Sequence, residues 1–196
     1  MTRSARRTAL LAGVAVVSLA AAHVLDFRAA PALAYPAAND RDWGRMLRIV
    51  GFAPTWLVIA AAFWLEDRRS RTAIAILAAV AAAGIGAEIL KLIVRRERPD
   101  PATLTYVFRR LADHPFSSRD FGFPSSHVMV AFGGAAALAN RFRRAAPVFF
   151  GIAAGCGLTR LFAGAHFLSD VVGGIVGGLV VGSAVARAID PVERTT

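Results

Sequence analysis

Cysteine occurs once, at Cys156, so an intrachain disulfide and any zinc-type cysteine set are excluded. Cys156 sits inside an apolar run and reads as a small packing residue. Lysine is equally scarce, with Lys91 standing against 22 arginines. The 13 acidic residues are dispersed, so no carboxylate cluster offers a divalent metal its usual oxygen cage. What fills the chain instead is apolar. Hydrophobic residues make up 56% and the mean hydropathy is +0.53, far from a soluble composition. The 196 residues are expected to form one membrane domain, 1–196. The net charge of +10 lies in clusters between apolar runs, which suits anionic lipid headgroups and phosphates as partners rather than nucleic acid.

The apolar runs predict an all-α, polytopic bundle of about six spans, near 8–25, 49–65, 72–94, 127–139, 145–162 and 167–188. The fourth is short by the twenty-residue rule. Arg3, Arg6 and Arg7 precede the first run, which is expected to be retained, with a cleavable signal peptide as the alternative. Residues 26–48 read as an external loop ending in an interfacial piece anchored by Trp43, and Pro54 as a kink in the second span. Glu66, Asp67, Arg68, Arg69 and Arg71 form one charged turn, and Arg141, Arg143 and Arg144 another. With an even number of spans both turns share a side with the two termini, which the positive-inside rule places in the cytoplasm. Further arginines fall on the opposite loops, notably between Arg95 and Ser126, where Pro99, Pro101, Pro115 and Pro124 break any long helix.

Three motifs face that opposite side. In KLIVRRERP, Lys91, Arg95 and Arg98 stand at i, i+4 and i+7, one helix face. A lone lysine in so arginine-rich a chain points to a compact ammonium, with Glu88 three residues earlier as its default partner. Snorkelling at a span end accounts for Arg95 and Arg96. In PSSH, Pro124, Ser125, Ser126 and His127 read as a helix start, either ordinary serine capping or an anion site built on free amides. In TRLFAGAHFLSD, Arg160 precedes His166 by six residues and Asp170 follows His166 by four. If the helix begins near Ala165, the carboxylate can hold one ring nitrogen and leave the other free for attack. The bland alternative is a His and an Asp satisfying each other at a helix start. Gly174, Gly178 and Gly182 give the sixth span a smooth face for close packing, with Gly133 and Gly134 as counterparts.

Together the motifs resemble the signature of the type 2 phosphatidic acid phosphatase (PAP2) superfamily, K-x6-R-P, P-S-G-H and S-R-x5-H-x3-D, with Ser126 in place of glycine and Thr159 in place of serine. That superfamily includes membrane lipid phosphatases and soluble haloperoxidases; the apolar spans favour the former. The resemblance implies a lipid phosphate phosphatase working through a phosphohistidine. In it His166 is the nucleophile, Asp170 its orienting carboxylate and His127 the general acid; Lys91, Arg98, Ser125, Ser126 and Arg160 bind phosphate. No metal or other cofactor is implied. GAHFLSD is similar to stretches in bacterial members acting on undecaprenyl diphosphate, phosphatidylglycerophosphate or lipid A phosphates. The expected location is a bacterial inner membrane, with the site facing the periplasm or exterior. Phosphotransfer to a lipid or sugar hydroxyl is the alternative activity, and a non-enzymatic membrane protein with buried ion pairs the alternative class.

Overall fold

The computed structural model describes residues 2–68 and 70–191. Arg69, counted above in the first charged turn, lies outside the described residues, as does the tail after Pro191. Among the described residues seven α-helices follow one another: α1 (Arg3–Leu33), α2 (Asp42–Ile49), α3 (Ala53–Glu66), α4 (Arg71–Val94), α5 (Ser126–Arg141), α6 (Ala146–Phe162) and α7 (Leu168–Ile189). Among the described residues the only extended pairings are two isolated bridges, Arg96 with Phe108 and Glu97 with Phe121.

Helix α5 is the axis of the bundle. Every residue from Val128 to Leu138 is buried, wrapped by α4, α6 and α7. The contact with α7 is closest because glycines allow it: a Cβ on Gly178 would lie 2.6 Å from the Met129 carbonyl oxygen, and one on Gly182 would lie 2.6 Å from the Gly133 Cα. Gly133 is thus a counterpart of the α7 face, as expected. Gly134 instead faces the Trp56 ring of α3, 2.4 Å from such a Cβ. Cys156 packs in the core beside Val128 and Ala153, in keeping with a purely steric role.

Among the described residues four helices, α1, α4, α6 with its preceding turn, and α7, are long and apolar enough to cross a membrane. The pair α2 and α3, bent by 66°, adds a fifth if taken as one broken span. Helix α5 has 16 residues, below the usual spanning length, and being enclosed by its neighbours it meets little lipid.

Several local expectations are corrected. The first helix does not stop near Leu25 but continues through Asp26 and Pro31 to Leu33, because Asp26 finds buried hydrogen-bond partners instead of water. Pro54 does not kink α3; it occupies the first turn, where a missing N–H costs no helical bond. The bend falls before it, between Ile49 and Ala53.

Candidate active site

Helix α4 ends at Val94 because Arg95 takes a left-handed conformation, φ 55°, with its N–H bonded to the Lys91 carbonyl. Left-handed C-caps are normally glycine. Arg95 holds the position through its guanidinium, which donates to the carbonyls of Arg109, Arg110, Asp113 and Pro115. Arg95 is therefore a clamp on the 95–125 loop rather than a snorkelling side chain. The reversal also means that Lys91, Arg95 and Arg98 do not share one helix face. Arg98 arrives on an extended segment, its N–H bonded to the Asp120 carbonyl, and its side chain makes no hydrogen bond among the described residues.

Arg96 departs furthest from expectation. It is 3% exposed and donates through Nη2 to the Asp170 carboxylate and, at 2.7 Å, to Ser169 Oγ. The rings of Tyr106, Phe123 and Phe167 surround its guanidinium at 4.9, 5.1 and 5.4 Å, an aromatic cage for a desolvated cation.

At the head of α7, the expected helix over His166 is absent: the helix begins at Leu168, with Phe167 as its cap. Asp170 is the third helical residue, and its Oδ2 accepts the Phe167 N–H at 2.8 Å, which satisfies one of the orphan donors of a helix start. His166 therefore precedes the helix, and its Nδ1 comes to 3.4 Å from Asp170 Oδ2. That is ion-pair range but too loosely aligned for a hydrogen bond, and Nδ1 is otherwise unpartnered. Burial holds the His166 imidazole below its usual pKa; Asp170 pulls it upward, and Arg160 and Arg98 push it down again. A neutral ring at pH 7 is the form that can attack. Gly122 closes in from the loop: a Cβ there would lie 2.8 Å from Asp170 Oδ2, so only glycine fits beside the carboxylate.

Helix α5 begins after Ser125, and the serine-capping alternative fails. The Ser125 hydroxyl caps nothing; it is buried and without a partner, while its N–H bonds the Asp170 carbonyl at 3.0 Å and so ties α5 to α7. Ser126 turns its hydroxyl to Glu88 at 2.7 Å. Glu88 also receives Lys91 Nζ at 3.1 Å and the Ser118 hydroxyl, so the expected pairing with Lys91 is present inside a larger hub. His127 lies edge-on to Phe52, 4.8 Å between centroids; burial first, and then the charges of Arg160, His166 and Lys91, push its pKa down to about 3 in the absence of an anion. The bend after α2 covers it, since a Cβ on Gly51 would sit 2.7 Å from His127 Cβ.

Arg160, 7% exposed, has an Nε without a partner. The end of α4, the start of α5 and the α6–α7 junction thus bring His166, Asp170, His127, Lys91, Arg98, Ser125 and Arg160 to one end of the bundle. Ser126 contributes its side chain to the Glu88 hub and keeps only its amide for a ligand. An unmet buried donor costs roughly 1–3 kcal/mol. Unmet donors from Ser125 and Arg160 beside a neutral imidazole form a site suited to a tetrahedral oxyanion. Asp26 and Gly122 escaped the sequence reading, Arg96 was read only as a snorkelling span-end cation and Glu88 only as the partner of Lys91; the only available signal for the rest was their polar or minimal character within apolar or motif-adjacent stretches.

The sequence model of the PAP2 superfamily matches residues 72–193. A protein of Rhizobium johnstonii named lipid A 1-phosphatase is 34% identical over 94 residues, 47% of this chain, and the chain spans only 37% of that relative. The crystal structure of a Bacillus subtilis protein, described as a transmembrane PAP2 type phosphatidylglycerolphosphate phosphatase, superposes with a TM-score of 0.69. It covers 96% of this chain and 98% of the other at 21% identity, so the likeness is one of fold.

Proposed function

Because the chain belongs to the PAP2 superfamily, we propose that it is an integral membrane phosphatase that removes phosphate from a lipid through a phosphohistidine. The observation that carries this reading is the pair of buried donors without a hydrogen-bond partner, Ser125 Oγ and Arg160 Nε, at the end of the bundle where His166 faces Asp170. His166 Nε2 attacks phosphorus in line with the bond to the lipid oxygen. As the N–P bond forms and the P–O bond breaks, Asp170 offsets the charge growing on the ring. Arg98, Arg160, Lys91, the Ser125 hydroxyl and the Ser126 amide stabilise the equatorial oxygens. A bound phosphate favours protonated His127, which gives its proton to the departing oxygen; neutral His127 then takes a proton from water as water displaces His166. The cationic side chains supply the charge neutralisation that Mg²⁺ gives elsewhere, so the reaction is proposed to be metal-independent.

Lipid A phosphates, phosphatidylglycerophosphate and undecaprenyl diphosphate are the proposed substrate classes, the first two matching the names of the relatives. The domain is proposed to occupy 1–196 in a bacterial inner membrane, with the site on the periplasmic or outer side and the termini in the cytoplasm. The test is a phosphate-release panel of these lipids with purified protein in EDTA. Release of free phosphate from one of them is expected. Transfer of the phosphoryl group to an added lipid or sugar hydroxyl without free phosphate would replace hydrolysis with phosphotransfer, and activity abolished by EDTA and restored by Mg²⁺ would overturn the metal-free mechanism.

A further inference from the structure

Helix α1 lies outside residues 72–193, and its outer surface is apolar and exposed, with Val16, Val17 and Val24 all about two-thirds or more open. Yet it carries a carboxylate that is completely buried, Asp26. A charge in such a place needs partners; His23 Nδ1, 3.9 Å away on the same helix, is one, and Ser169 and Arg96 lead from Asp26 to Asp170. Its Oδ1 accepts the Ser169 N–H at 2.7 Å, and its Oδ2 accepts the Ser169 hydroxyl and, at 2.7 Å, the Tyr106 hydroxyl. Burial and the adjacent Asp26 charge raise the Tyr106 pKa, so the phenol stays a donor. Ser169 precedes Asp170 in the chain, and Arg96 Nη2 donates to both, with Nη1 3.9 Å from Asp26.

From this geometry, and resting on the phosphatase reading above, we infer that α1 supplies a positioning residue: Asp26, acting through Ser169 and Arg96, holds Asp170 in the state that supports His166. Charge gives the reason. Arg96 alone beside Asp170 would cancel the carboxylate and leave nothing to balance the positive charge that develops on the imidazole as it bonds phosphorus. A second buried carboxylate sharing the same guanidinium leaves the group of Asp26, Asp170 and Arg96 with one net negative charge behind His166. Shared hydrogen bonds couple such groups, so their effects are not additive.

The experiment is a double-mutant cycle on the full chain in detergent, read as kcat, KM and vanadate inhibition, vanadate serving as the five-coordinate mimic that bonds His166. Asp26→Asn should lower kcat about tenfold, a size typical of coupled neighbours, weaken vanadate inhibition by a similar factor and leave KM nearly unchanged. In an Asp170→Asn background the same change should cost about twofold or less, because its route of action is already cut. Ser169→Ala removes the hydroxyl that joins Asp26 to Arg96 while keeping both carboxylates and the residue-169 N–H bond to Asp26; it should lower kcat in the same direction by a smaller factor, again with KM nearly unchanged, and an unchanged kcat in this variant overturns the proposal if Asp26→Asn fails to fold. Equal fold losses in both backgrounds would reduce Asp26 to an anchor for α1, and wild-type kcat in both variants would remove any role. A wild-type protein that releases phosphate from no lipid sinks the phosphatase reading itself, a separate result from either.

Discussion

A buried hydroxyl that bonds nothing is costly, and Ser125 carries one next to Asp170 and two residues from His127. The roles assigned to the histidines make different demands on the leaving group. A lipid alkoxide departs poorly without a proton, whereas a nitrophenolate hardly needs one. His127→Asn should therefore slow phosphate release from a lipid by about 10²- to 10⁴-fold, the range of general acid catalysis, and release from an aryl phosphate far less. Equal losses on the two substrates, measured as kcat/KM, would remove His127 from that role. At this scale the sequence was most informative where residue type and short spacing set the chemistry: Lys91, Arg98, Ser125, His127, Arg160, His166 and Asp170 converge as the motifs implied. It was uninformative where partners are remote. Arg96 meets Asp170 across 74 positions and Asp26 meets Ser169 across 143, and no periodicity links residues so far apart. Arg96 in particular looks like a span-end cation until the fold buries it.

Among the elements, α7 shows how sequence pattern becomes position. Gly174, Gly178 and Gly182 fall on one helical stripe, and their missing side chains let α7 approach the α5 backbone closely enough for Ser125 N–H to reach the Asp170 carbonyl. Gly178→Val forces atoms into the Met129 carbonyl and should destabilise the protein by about 1–3 kcal/mol or more, as overpacking does. Its Tm in detergent should fall and its activity with it. Gly151→Ala, where an added Cβ meets nothing within 4 Å, should leave both unchanged. A Gly178→Val protein as heat-stable as the parent would mean that the close α5–α7 contact does not hold the site. The glycine stripe was legible because its period is local, but the ends of the helices were not. Burial of Asp26 lets α1 run past a residue that looks like loop, Arg95 stops α4 in a conformation usually left to glycine, and Phe167 delays α7 past His166. Each boundary is decided by tertiary hydrogen bonds that local propensity does not contain.

For the molecule as a whole, all the motif residues lie at the end of the bundle opposite the turns that carry Arg68, Arg71, Arg141, Arg143 and Arg144. In the proposed orientation, which follows the positive-inside rule, those turns lie in the cytoplasm and the loop near the site is open to the exterior. Ala102→Cys, in that loop and exposed, should react with a membrane-impermeant thiol reagent in intact cells, while buried Cys156 contributes little background; labelling only after lysis would reverse the orientation. Fold class and membrane character were legible from composition, since so apolar a chain has few other solutions. The number of crossings was less so, because α2 and α3 break what looked like one run and α5 is short and enclosed. The central claim is that His166 carries the phosphoryl group between lipid and water. Rapid acid-free quenching of the purified protein with a radiolabelled lipid phosphate in EDTA tests it most directly. The wild type should yield an acid-labile, base-stable phosphoprotein that turns over to free phosphate and is absent from His166→Ala, whereas the same labelled species in His166→Ala would contradict the account.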